Sequence, residues 1–265
     1  MLTKVAKLFN ENSNIEHLSG GQNESVKVGR ISIKPIHEIE KYIWISKLMG
    51  KLISKKILMS RPVKSKNGKW IEHGYGATEY IDGNFYEGRI EEKLKACNYL
   101  NDLLKNVKYP EQSYTWSSPW ISASKVSWES EKIPTNSIKI AKELISSLQS
   151  KLQRIHLASQ VIHTDLAGNI LFNDAGTPVI IDFSPDYKPA IYAQVLLIID
   201  SVAWHNENLS IIDQISCDET LKNQLILRAI IFRLCVPLYF DPTNENIFLE
   251  TYNEFSEILR YTNLT

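Results

Sequence analysis

Between residues 161 and 184 the chain reads VIHTDLAGNILFNDAGTPVIIDFS, where Asp165, Asn169 and Asp182 stand among runs of Val, Ile, Leu and Phe. ILF and TPVIID have the length and composition of short strands, and Asn173-Asp174-Ala175-Gly176 has the composition of a hairpin turn. Asn169 then precedes the first strand, Asp182 ends the second, and Asp165 sits one loop earlier. Such a hairpin sets all three polar groups at one edge. Two carboxylates and an amide oxygen suit a hard divalent cation: Mg²⁺ takes oxygen ligands, commonly one or two carboxylates together with substrate phosphates. The third group is then available to accept a proton from an attacking hydroxyl.

Asp and Asn are common at turns, and any one of these residues alone is more often structural than catalytic. The joint pattern is far more specific. His163-Thr-Asp165-Leu-Ala-Gly-Asn169-Ile-Leu-Phe followed by Ile180-Ile-Asp182-Phe183 resembles the signature of aminoglycoside phosphotransferase-type and choline-kinase-type enzymes, small-molecule relatives of the protein kinases. The resemblance implies an α+β, two-lobed, protein-kinase-like fold. Its N-lobe, residues 1–81, would be a small antiparallel sheet with one helix that binds the nucleotide. Its mainly helical C-lobe, residues 82–265, would carry a catalytic β-hairpin and the substrate site. It further implies Asp165 as catalytic base, Asn169 and Asp182 as metal ligands, and His163 as a structural brace of the catalytic loop. The reaction would pass the γ-phosphoryl group of ATP or GTP, with Mg²⁺, to a hydroxyl of a small molecule. One departure marks a subfamily: the interval from Asp165 to Asn169 is four steps, one residue shorter than the common family pattern, as in some bacterial members. Ser184 also stands where protein kinases carry glycine after Asp-Phe.

These groups need elements to position them. HLSGGQNESVKVGRISIKPI (residues 17–36) reads as a hairpin, with Ser-Gly-Gly as a tight turn and VKVGRISIK as one alternating strand. Apolar residues recur at helical spacing from Glu38 to Leu52. Two further strands are expected around the Asn67-Gly68 turn, ending at Asp82-Gly83. A helix follows through EEKLKACNYLNDLLKNV, then a long irregular insertion from Tyr109 to Pro134. A second helix is predicted through PTNSIKIAKELISSLQSKLQRIH, and helices again from Pro189 onward.

The kinase resemblance makes demands upstream, and the chain meets them in order. Ser19, Gly20 and Gly21 offer a backbone turn for phosphates. Lys34, at the end of ISIK, would reach the phosphates and pair with a glutamate of the following helix, Glu40 in preference to Glu38. Glu79-Tyr80-Ile81 before Gly83 resembles the family's hinge, whose backbone holds the adenine. Asp200 lies within the apolar run AIYAQVLLIIDSVAW, where an aspartate must be hydrogen-bonded or paired; the resemblance implies that it braces the catalytic loop from below. Trp116, Trp120 and Trp128 more often anchor a loop of this kind than line a pocket. If functional, they would line the acceptor site.

Composition sets the outer bounds. The 265 residues are 43% hydrophobic with a net charge of zero. Three cysteines without metal-ligand spacing point to reduced thiols and a cytoplasmic protein. The N-terminal stretch lacks the apolar run of a signal peptide. The two most apolar segments contain Asp200 and Arg228 with Arg233, as buried helices rather than membrane spans would, so neither membrane nor nucleic acid is an expected partner. Residues 1–70 hold 14 Lys and Arg against 5 Asp and Glu, net +9, and the remainder 16 against 25, net −9. The basic part could receive a polyphosphate and the acidic part an amine-bearing alcohol, such as an aminoglycoside. Two other readings stay open. One is a nucleotide-binding pseudokinase or regulatory module in which the shortened loop is not competent. The other is a protein Ser/Thr kinase or an AMP transferase, although no Ala-Pro-Glu segment follows Asp182. The sequence chooses neither an oligomeric state nor between ATP and GTP.

Overall fold

The structure, a computed structural model, describes residues 1–18, 24–111, 113 and 116–264. The expected phosphate turn at Ser19, Gly20 and Gly21 lies outside the described residues. The contacts divide the chain into two compact units, residues 1–85 with 169–183, and residues 86–168 with 184–265.

The first unit opens with α1 (Leu2–Leu8) and β1 (Ile15–His17). Then come β2 (Val26–Val28), β3 (Ile31–Pro35), α2 (Ile39–Met49), β4 (Leu58–Met59), β5 (Pro62–Val63), β6 (Ile71–Glu72) and β7 (Tyr75–Glu79). Five strands form an antiparallel sheet in the order β1-β2-β3-β7-β5, with β6 also paired to β7. Two expectations are corrected. VKVGRISIK is not one strand but two, because Gly29 takes φ +58° and turns the chain so that Val28 pairs with Ile31. The unit also holds a second helix, α1. Its Val5, Ala6 and neighbouring Phe9 bury against Val26, Val28, Ile31, Ile33 and Ala77 of the sheet, closing that core. So short an apolar stretch has no stable helix of its own and forms through this packing.

Along the later chain run β8 (Ser159–His163), β9 (Ile170–Phe172), β10 (Pro178–Ile180) and β11 (Pro185–Pro189). β9 and β10 form the expected hairpin and belong to the first unit, where β10 pairs in parallel with β4. β8 and β11 form an antiparallel pair in the second unit.

Around that pair the second unit is helical: α3 (Ile90–Leu104), α4 (Pro119–Ser127), α5 (Lys139–Gln149), α6 (Ala190–Trp204), α7 (Glu219–Phe240) and α8 (Glu245–Tyr261), with a short 3-10 segment at Leu209–Gln214. α7 is the hub, packed by α4, α5, α6 and α8. Its residues 224–235 are buried on every face, as a helix surrounded by other helices must be. It is long and apolar enough to cross a membrane, yet 72% of its apolar window is buried inside the protein. The stretch from Tyr109 to Pro134 is not wholly irregular. Ser118 caps α4 by accepting from the Ile121 N–H, Pro119 starts it, and Ala123 and Val126 are fully buried.

Candidate active site

The hairpin of the first unit is built by its turn. The Asn173 side chain accepts from the Thr177 N–H at 2.8 Å, Gly176 adopts φ +76°, and Ile170 and Ile180 come into register. The Ile181 N–H then donates to the Asn169 carbonyl at 3.0 Å, so Asn169 and Asp182 flank the open end of the hairpin, opposite its turn. Asp182 stands at φ +46°, a left-handed conformation that Asp tolerates better than most residues and that the surroundings must hold in place. Its carboxylate is ion-paired to Lys34 Nζ, which projects from β3 opposite Gly76. Side-chain exposures of 54% for Asp182 and 39% for Lys34 leave the pair open to a polyanion and its cation. Hard oxygen donors at Asn169 and Asp182 fit magnesium, which needs only one or two carboxylates beside phosphate oxygens.

Glu40 is exposed on the first turn of α2, with no hydrogen bond or ion pair among the described residues; Lys34 meets Asp182 instead. At the hinge, the Glu79 N–H donates to Arg61 O at 2.6 Å, Glu79 O accepts from Ser60 Oγ at 2.7 Å, and the Tyr80 N–H donates to Arg30 O at 2.8 Å. The Tyr80 carbonyl and the Ile81 N–H have no such bond among the described residues, which leaves one acceptor and one donor for an adenine edge. Just beyond, Asn84 and Phe172 exchange two 2.9 Å backbone hydrogen bonds, and a Cβ at Gly83 would come within 3.0 Å of the Leu171 Cβ.

In the second unit, β8 ends at His163 and leads into the loop carrying Asp165. Thr164 anchors the loop with its N–H on Ser184 O at 3.0 Å. The Asp165 N–H donates to His163 Nδ1 at 3.1 Å, so that nitrogen carries no proton. His163 is fully buried.

The group that sequence reasoning missed is Arg233 of α7. Its Nε donates to Asp200 Oδ1 at 2.9 Å and its Nη2 to Asp200 Oδ2. The same Nη2 reaches Thr164 O at 2.9 Å and Asp165 Oδ1 at 3.2 Å. Asp200 therefore touches the loop through a guanidinium. Burial pushes the Asp200 carboxyl up to about 6, against the pull of Arg233. Burial also works against the Arg233 charge, but Asp200 and Asp165 outweigh it and hold the guanidinium protonated. The signal was legible: a lone acid in one apolar run and an arginine in the other each required a buried partner.

Of the three tryptophans, Trp116 is buried edge-on to Tyr109 and Trp128 stands edge-on to Tyr192 at 5.3 Å. Trp120 instead lines a cavity of about 430 Å³ in the second unit, with Asp165 in the same wall.

Solved structures with this architecture include spectinomycin phosphotransferase APH(9)-Ia bound to AMP, choline kinase LicA from Streptococcus pneumoniae, and a thermostable mutant of aminoglycoside phosphotransferase APH(4)-Ia with ADP and hygromycin B. The first is 15% identical with a TM-score of 0.63, covering 99% of this chain and 95% of its own. The second is 13% identical at 0.61, covering 100% and 98%. The third is 11% identical at 0.64, covering 99% and 97%. The chain has their fold. No family model and no curated protein sequence matches it. At these identities the likeness is one of architecture, and the chemistry rests on the side chains described above.

Proposed function

We propose that this protein is a phosphotransferase that moves the terminal phosphoryl group of a nucleoside triphosphate to a hydroxyl of a small molecule. The observation that carries the reading is Asp165, whose carboxylate accepts from Arg233, whose backbone N–H donates to a fully buried histidine, and which stands in the wall of a cavity of small-molecule size. Asp165 would orient the acceptor hydroxyl and take its proton as the oxygen attacks phosphorus. Lys34 would meet the nucleotide phosphates, and the hinge backbone at Tyr80 and Ile81 the base. Asn169 and Asp182 would hold magnesium, which when bound neutralises charge on the phosphates. That APH(9)-Ia has been solved with ADP and spectinomycin supports pairing a nucleotide with an alcohol on this fold.

Replacing Asp165 with Ala should abolish phosphoryl transfer and leave nucleotide binding intact. The test couples ADP or GDP release across a panel of alcohols to nucleotide-dependent thermal stabilisation. Wild-type turnover in the Asp165→Ala protein would refute the assignment of the base. Nucleotide binding without turnover of any acceptor would favour a regulatory module.

A further inference from the structure

The cavity beside Asp165 has walls unlike those that the charge balance of the chain suggests. Four of its residues, Trp120, Trp204, Phe240 and Ile247, are large apolar side chains between 38% and 55% exposed, and Val236 and Pro237 extend the same surface. They come from the ends of four helices: the start of α4, the end of α6, the last turns of α7 and the start of α8. Apolar groups gathered at this exposure around one cavity mark a ligand surface, because folding alone leaves them wet.

The polar groups in the wall are already engaged within the protein. Asn244 accepts from the Ile247 N–H at 3.2 Å as the cap of α8. Asp241 Oδ1 accepts from the Thr243 N–H at 3.0 Å and the Thr243 hydroxyl at 2.8 Å. The Thr251 hydroxyl donates to Ile247 O at 2.9 Å, and Trp204 Nε1 donates to Glu254 at 2.6 Å. What the wall offers an incoming molecule is mostly aromatic and aliphatic surface. Charge points the same way. The carboxylates of the wall are Asp165 and Asp241, and Arg233 offsets one of them. Arg233 also lies over the Trp204 ring at 5.3 Å, so a cation already occupies that face. A polyamine would find too few acids here, and a quaternary ammonium would meet a guanidinium.

Resting on the phosphotransferase reading, we infer that the acceptor is an alcohol with an apolar, ring-bearing body and no net positive charge. Its hydroxyl is presented to Asp165 and its ring packs on the surface that Trp204 and the edge-to-face pair Trp120 and Phe240 present. The attacking oxygen forms the new O–P bond, its proton passes to the Asp165 carboxylate, and the nucleoside diphosphate leaves with the electrons of the broken O–P bond.

Binding and turnover test this separately. Binding is followed by calorimetric titration while 3-phenylpropanol, phenyl glucoside, choline, spectinomycin and hygromycin B are titrated into the full-length protein. A neutral ring-bearing alcohol should bind at least about tenfold more tightly than any of the cations, and Phe240→Ala or Ile247→Ala should weaken it by about tenfold, the order expected for an apolar side chain newly covered by ligand. Both residues are exposed, so the fold survives their truncation, which circular dichroism verifies. Equal or tighter binding of a cation, or ring-alcohol binding unchanged in both variants, would overturn the inference. Ring-alcohol binding without nucleoside diphosphate release from any acceptor counts against phosphoryl transfer, not against the chemistry of the wall.

Discussion

Lys34 and Asp182 show how a single side chain links fold and chemistry. The carboxylate sits in a left-handed conformation beyond β10, and the ammonium that neutralises it comes from a strand 148 residues earlier. A polyphosphate would take over the ammonium and free the carboxylate for its cation. Lys34→Ala should therefore weaken nucleotide binding by about tenfold or more, the scale of one charge-assisted contact, measured by calorimetric titration. Unchanged affinity would remove Lys34 from the phosphate site. Gly76, opposite Lys34, has its own constraint: a Cβ there would lie 2.3 Å from the ring carbon and hydroxyl of Tyr42. Gly76→Ala must push aside this buried tyrosine, whose hydroxyl bonds Ala77 O, and should cost about 1–3 kcal/mol in denaturant unfolding.

At the level of elements, α6 carries Asp200 and α7 carries Arg233 into the core, and these two charges meet. Loss of Arg233 strips the buried Asp200 of its counter-charge, and loss of Asp200 leaves the buried guanidinium with only the half-exposed Asp165 as an acid partner. Asp200→Leu or Arg233→Met alone should cost about 3–5 kcal/mol, and the double variant clearly less than the sum. Chemical denaturation of the four proteins closes the cycle; additive losses would mean the pair contributes no coupling. Just past α6, His205 is half-buried, and burial first, then the charge of Lys93, lowers its pKa from 6.5. A histidine depressed in the folded state contributes stability above the unfolded pKa and loses it as pH falls through the folded one. Between pH 7.5 and 5, the thermal midpoint of the wild type should drop more than that of His205→Gln. Parallel curves would show that His205 does not titrate with folding.

On the scale of the whole molecule, the charges are unevenly placed along the chain, net +9 over residues 1–70 and −9 over the rest. Exposed charge is screened once the Debye length shrinks from about 10 Å at 0.1 M salt to about 3 Å at 1 M. Nucleotide affinity should fall several-fold over that range, whereas binding of a neutral ring-bearing alcohol should hold or strengthen. Titrations at the two ionic strengths separate the sites by their physics.

Most of the site was written locally. Asn173 to Gly176 specify a turn, the apolar runs beside it specify strands, and together they determine where Asn169 and Asp182 stand relative to each other, because turn chemistry and side-chain period depend on near neighbours. VKVGRISIK was harder: its apolar positions run Val26, Val28 and then Ile31, Ile33, so the alternation slips by one residue at Gly29-Arg30, a shift easily passed over in so short a run. α1 and α4 were hidden for another reason: each is short, and its apolar face has meaning only against the surface it covers. The sequence by itself singled out the residues proposed to carry the chemistry and required a partner for Asp200. Only the tertiary structure decided that Arg233 is that partner, that the same guanidinium reaches Asp165 across 68 residues of chain, and that four helix ends gather an apolar wall around it. A buried charge announces that a counter-charge exists; which one it is depends on packing among distant elements, and no local pattern encodes that.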